Sequence, residues 1–207
     1  MIIETVVVGE LGVNCYVVAP RAGVPCVIID PGDDKAKITR AMERSGLTPG
    51  IVVNTHGHCD HIGCDDCFGV EVYCHSADLS LLQDPKLNLS AFMGTSYKVR
   101  SKINLLADGQ TLAFGGMEFK IIHTPGHTPG GICLLLEKPQ GGILFAGDTL
   151  FCGGVGRADL HGGDERALMR AIREKLLVLP ADTVVYPGHG PATTIGAEKT
   201  GNPFLGG

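Results

Sequence analysis

The chain of 207 residues has no tryptophan, only 5% aromatic and 19% charged residues, and its 22 acidic side chains outnumber the 17 basic ones for a net charge of −5. Sequence-tolerant nucleic-acid binding needs a basic groove with aromatic stacking platforms. This composition supplies neither, so nucleic acid is not an expected partner. No uninterrupted apolar stretch approaches the ~18 residues of a membrane-spanning helix. Met1-Ile2-Ile3-Glu4 has no basic segment leading into a long apolar one. A cytoplasmic protein with no membrane partner is expected. A chain of this size buries roughly 70% of its unfolded surface without staples. The eight cysteines are therefore expected as free thiols in a reducing compartment, with their purpose left open.

In excess are glycine, with 30 residues, and histidine, with 8. Short β-branched runs separated by Gly/Pro/Asp/His turns predict strands over Ile2–Val8, Cys15–Val18, Cys26–Asp30, Ile51–Asn54, Val70–Cys74, Phe119–Ile122, Ile132–Leu136, Ile143–Ala146 and Thr183–Tyr186. Helices are predicted over about Asp34–Ser45, Ser76–Gln83 and Asp164–Leu179. The last has Asp164 as its N-cap, Leu168, Ile172, Leu176 and Leu179 at helical spacing, and Pro180 as its stop. Groups of strands with helices between them point to an α/β fold in four layers, an αββα sandwich, as one domain over residues 1–207. Asp84 to Lys102 is the longest stretch with no predicted element, and loops of that length are commonly lids or surface loops.

Five predicted strands end alike, in a turn that bears a metal-capable side chain. Ile51–Asn54 runs into Thr55-His56-Gly57-His58-Cys59-Asp60-His61, and Phe119–Ile122 into His123-Thr124-Pro125-Gly126-His127. Asp148, His189 and Asp30 follow three further strands. Residues two apart in extended backbone point the same way, so His56 and His58 can grip one ion. Asp60 and His61 follow as the chain turns and are placed for a second. A set of imidazoles and carboxylates without paired thiolates suits catalytic zinc, with iron or manganese as alternatives. Adding the distant residues gives His56, His58 and His127 on one ion and Asp60, His61 and His189 on the other, with Asp148 bridging. Such a two-metal site leaves room for a shared water.

The ordered set His56-x-His58-x-Asp60-His61, His127, Asp148 and His189 resembles the metallo-β-lactamase superfamily, and the resemblance spans essentially the whole chain. Gly156-Arg157-Ala158-Asp159-Leu160 and the tail from Thr194 to Phe204 are most similar to short glyoxalase II-type hydrolases. The resemblance implies the αββα fold, a structural role for Asp30 or one in supporting a ligand rather than direct ligation, and hydrolysis of a small thioester, such as an S-acyl glutathione, by a hydroxide bridging two ions. Asp60 is the residue nearest to shuttle a proton. Two departures separate the chain from glyoxalase II proper: it ends with the sandwich, without the added helical domain, and His161 stands where the family has Pro. The alternative is a persulfide dioxygenase-like oxidoreductase with a single iron on the same kind of His/Asp set.

Other candidates have plainer readings. His123 is expected to be a structural neighbour and His75 a cap or surface residue, while His161 has a weaker claim to face a substrate cleft. Cys64-x-x-Cys67 lacks the second pair a structural zinc site needs, and Cys59 reads as a small filler between ligands. Arg157 and Asp159 form either a loop ion pair or an anion contact.

Overall fold

The structure, a computed structural model, describes residues 1–138 and 142–206. Among these, two six-stranded sheets form the centre. The first contains, in spatial order, β1 (Ile2–Val8), β2 (Val13–Ala19), β3 (Pro25–Ile29), β4 (Thr48–Val53), β5 (Glu71–His75) and β6 (Ile103–Leu106). The chain then forms β7 (Thr111–Phe114), β8 (Met117–His123), β9 (Ile132–Leu136) and β10 (Ile143–Gly147) of the second sheet. A small hairpin of β11 (Leu150–Phe151) and β12 (Gly154–Val155) precedes β13 (Val184–Pro187) and β14 (Thr193–Thr194), and the second sheet is ordered β14-β13-β10-β9-β8-β7.

The alternation of side chains explains the layering. In β9, Ile132, Leu134 and Leu136 face the inter-sheet core, whereas Cys133 and Leu135 face outward. In β3, Val27 and Ile29 point between the sheets and Cys26 and Ile28 point to the outer face. Central strands covered on both faces read as continuous apolar runs rather than alternating ones. Helix α1 (Lys35–Arg44) lays Ile38 and Met42 on the outer face of the first sheet. The second outer face is covered by Leu168 of the helix Glu165–Ala171 and by Ile195 of the last helix (Ile195–Gly201). Three apolar interfaces thus separate four layers, the αββα arrangement that the strand and helix order implied.

The cysteines find their place here. All eight are free, and Cys15, Cys26, Cys74 and Cys133 pack in the outer cores as small apolar residues.

The helix predicted over Asp164–Leu179 is α-helical only to Ala171 and continues as a π-turn over Ile172–Leu176, where the Leu177 N–H donates to the Ile172 carbonyl at 2.9 Å. The wider turn keeps both Ile172 and Leu176 buried against the sheet. Asp164 does cap it, accepting from the Ala167 N–H at 2.9 Å. Strands β6, β7, β11, β12 and β14, the short helix Cys59–Ile62 and the final helix are additions to the sequence reading. The segment 84–102 contains one short turn of 3₁₀ helix, Ser90–Met93.

Phe145 is fully buried between the sheets, its ring 5.2 Å from Tyr16 of the opposite sheet and 5.5 Å from Tyr186. Phe145→Ala is expected to cost about 3–5 kcal/mol in urea unfolding. A loss below about 1 kcal/mol would show that this cluster does not hold the sheets together.

Candidate metal centre

The open end of the sandwich is built from turns that follow strands of both sheets. β3 and β4 run parallel in the first sheet, and β10 and β13 run parallel in the second, so their C-terminal turns emerge together. Two backbone bonds join the sheets there: Ile132 N–H to the Thr55 carbonyl, and Asn14 N–H to the Gly188 carbonyl, both 2.8 Å. His56 follows β4 after Asn54 and Thr55. His58 is the N-cap of α2 (Cys59–Ile62), which carries Asp60 and His61, and the other three side chains follow β8, β10 and β13.

All seven side chains singled out by their spacing converge. Ligand-type atoms of His56, His58 and His127 lie within 4.8 Å of one another, as do those of Asp60, His61 and His189, and those of His56, His61 and Asp148. His127 Nε2 is 2.9 Å from His58 Nδ1 and 3.2 Å from His56 Nε2. His56 and His58 thus present different ring nitrogens. Asp148 reaches both trios: Oδ1 is 3.5 Å from His61 Nε2, and Oδ2 is 3.5 Å from His127 Nε2 and 3.6 Å from His189 Nε2.

Residues 8–189 match the model of the metallo-beta-lactamase superfamily. The chain belongs to this superfamily. It is 37% identical to the hydroxyacylglutathione hydrolase GloC of Haemophilus influenzae, over 86% of each chain. Its structure is similar to that of BLEG-1, a B3 metallo-beta-lactamase, with a TM-score of 0.92, 38% identity and full coverage of both chains. It is also similar to TTHA1623 in a di-iron-bound form, with a TM-score of 0.84 and 37% identity over 98% of this chain and 100% of that one.

The superfamily's metal chemistry fits the donors present here. His61 Nε2 and Asp148 Oδ1 are both buried without a hydrogen-bond partner, yet they face each other across 3.5 Å. Orphaned buried polar atoms are costly, and a cation between them satisfies both. The far sides of three of the rings are held in the manner typical of metal ligands. His61 Nδ1 donates to Asp30 Oδ2 at 3.0 Å, His127 Nδ1 to the Arg157 carbonyl at 2.7 Å, and His189 Nδ1 to the Leu11 carbonyl at 3.2 Å.

Electrostatics distinguish the two trios. Burial, reinforced by neighbouring imidazoles, drives His56 well below the usual histidine value and His58 down to about 3, so both stay neutral. Burial also opposes charging of His61, but Asp148, Asp60 and Asp30 outweigh it and lift it to about 10. Burial works against the Asp60 carboxylate, yet His61 and His189 prevail and hold it ionised, below its ordinary value. His56 and His58 are therefore uncharged, whereas His61 is tuned by the carboxylates around it.

Asp30 meets the expectation of a supporting role with detail the sequence does not carry. Its buried carboxylate accepts from the Thr55 N–H at 2.7 Å and the Thr55 hydroxyl at 2.6 Å while orienting His61. Its backbone sits at φ +51°, a left-handed conformation that non-glycine residues seldom adopt outside functional turns. Gly188 is required on steric grounds, since a Cβ there would collide with Asp148 Oδ1.

Three supporting residues escaped the sequence reading. Asp78, fully buried, accepts from Gly57 N–H at 2.9 Å, Thr128 hydroxyl at 2.7 Å and Gly130 N–H at 2.6 Å, lacing the His56–His58 turn to the His127 turn. Asn14 donates to the carbonyls of Pro187 and Gly190 at 3.0 and 2.8 Å, clamping the turn of His189. Asn88 gives its carbonyl to the Cys59 N–H at 2.9 Å and so ties the 84–102 segment to the metal-side helix.

The remaining histidines lie outside the cluster. His75 accepts from Ala77 N–H as a cap, and His123 stacks on it at 3.9 Å with its Nε2 against the Pro129 carbonyl. His161 is exposed. Arg157 pairs with Asp159 through two bonds of 2.7 and 2.8 Å, the loop ion pair rather than a free anion site.

Asp30→Asn preserves shape but weakens the hold on His61. Metal affinity, measured by competition with a chelator of known strength, is expected to fall about 10–100-fold. An unchanged affinity would remove Asp30 from the site's support.

Proposed function

We propose that this member of the superfamily hydrolyses small thioesters, in the manner of hydroxyacylglutathione hydrolases, with two divalent ions at the open end of the sandwich. His56, His58 and His127 would hold one ion, Asp60, His61 and His189 the other, and Asp148 would bridge them. Zinc suits this donor set, and iron or manganese are the alternatives. The observation that carries the reading is the placement of Asp148, whose two oxygens reach separate members of both trios.

When bound, the ions supply Lewis acidity and a water acidic enough to act at neutral pH. The chain's own residues supply orientation and proton handling. Rigid second-side bonds to Asp30, Arg157 and Leu11 fix the imidazole directions before substrate arrives. Asp60, whose Oδ2 lies 3.6 Å from His189 Nε2 and 3.8 Å from His61 Nε2, is the carboxylate placed to pass on the proton released by the attacking water. A thiolate leaving group has a conjugate pKa of about 8.5 and departs with little help, whereas an amide needs protonation. A thioester therefore makes the smaller demand on a site whose carboxylate begins ionised. The activity named for GloC, at 37% identity, supports the same choice.

No helix among the described residues is long and apolar enough to cross a membrane. The eight free cysteines suit a reducing cytoplasm, and neither nucleic acid nor a membrane is needed as a partner.

The test is metal quantification coupled to a panel of thioesters, lactones and a β-lactam. Two ions per chain and anaerobic thioester cleavage are expected, with Asp148→Ala losing about 10²–10³-fold or more in turnover and part of its metal. A single iron with oxygen uptake on a persulfide would replace this reading with the dioxygenase one.

A further inference from the structure

A cleft of about 480 Å³ opens beside the metal centre, and Asp60 stands in both. Leu11 and Met93 form apolar walls, and Cys59 lies between them and the site, its thiol 3.4 Å from the Met93 thioether. Leu11 and Met93 are 54% and 52% exposed, and Phe92, beside Met93 on the same 3₁₀ turn, is 78% exposed, the highest value among the large hydrophobic side chains described. That turn is built rather than loose: the buried Asn88 side chain accepts from Ser90 N–H and donates to the Leu81 and Tyr97 carbonyls. Leu11 is likewise fixed, because its carbonyl receives His189 Nδ1. Exposed apolar side chains carried on a backbone fixed in this way beside a reactive centre mark a binding surface.

Apart from the ions proposed for the metal centre, the charged side chains that line the cleft are of one sign. Glu10 and Asp33 line it along with Asp60, and among the described residues neither Glu10 nor Asp33 forms an ion pair. No lysine or arginine is among its lining residues, and the nearby Lys37 ammonium is engaged by Asp34 at 2.6 Å.

From the pairing of apolar walls with an acidic rim, we propose that this cleft binds the thiol-carrier side of the substrate and selects a carrier that is apolar and without negative charge. Glutathione, whose carboxylates outnumber its single ammonium, is disfavoured by Glu10 and Asp33. The inference takes the thioester class from the proposed function, but the selectivity of the cleft is a property of binding and is measurable without turnover.

The experiment compares two non-hydrolysable thioethers, S-hexyl-glutathione and S-hexyl-N-acetylcysteamine, binding to the metal-loaded protein by calorimetry. The neutral ligand is expected to bind at least ~5-fold tighter at low ionic strength, a ratio that shrinks as salt screens the rim. Glu10→Lys with Asp33→Lys is expected to invert the ratio. Should that variant misfold, Glu10→Gln with Asp33→Asn is expected to bring the ratio to within ~2-fold. Leu11→Ser and Met93→Ser are expected to weaken the neutral ligand by about 10-fold. Equal or tighter binding of the glutathione thioether, a ratio unmoved by the charge changes, or binding of neither ligand would overturn the proposal. Selective binding without thioester cleavage would instead leave the cleft's role standing and remove the hydrolase reading. Cleavage without selectivity would do the reverse.

Discussion

Two buried carboxylates that are not themselves in the cluster, Asp30 and Asp78, set the geometry of the whole open end. Each spends its oxygens on backbone and hydroxyl donors from turns distant in sequence, Asp30 on Thr55 and His61, Asp78 on Gly57, Thr128 and Gly130. A buried carboxylate is costly unless its lone pairs are filled, so these bonds have few alternatives once the core has closed. The consequence is a set of turns pinned at fixed separation. Imidazole nitrogens that have no favourable reason to meet are thereby held about 3 Å apart.

This pinning is only as firm as the two sheets beneath it. The inter-sheet core, with Phe145, Phe119 and Tyr16 at its centre, aligns the strands whose ends carry the site. Backbone bonds from Ile132 to Thr55 and from Asn14 to Gly188 transmit that alignment across the gap. The Tyr16 hydroxyl adds a 2.6 Å bond to the Pro187 carbonyl, next to the His189 turn. Core packing and site geometry are therefore one problem, and the residues that solve it come from both halves of the chain.

Much of this was legible in the sequence because the relevant signals are local. Uninterrupted apolar runs such as Ile132–Leu136 mark strands covered on both faces, and His56-x-His58-x-Asp60-His61 carries its chemistry within six residues. What was not legible is long-range or weakly patterned. The edge strands β6 and β7 have four residues each and are partly exposed, too short for periodicity to show. The final helix contains two glycines and two threonines flanking or within its seven residues, and it stands because Thr194 caps it and Glu198 bonds Gly153, Thr193 and Asn202. Asp78 looks like any acidic residue at the start of a helix, since its partners at Thr128 and Gly130 are fifty residues away. Four of the eight cysteines, Cys15, Cys26, Cys74 and Cys133, fill space in the outer cores, which their number in the sequence does not reveal.

The proposed function requires two ions, one at each trio, with Asp148 between them. Anomalous diffraction from crystals grown with zinc addresses this most directly. The expected map has two peaks, one bounded by His56, His58 and His127 and one by Asp60, His61 and His189, with Asp148 touching both. A single peak, or a second ion that leaves His189 and Asp60 untouched, would contradict it.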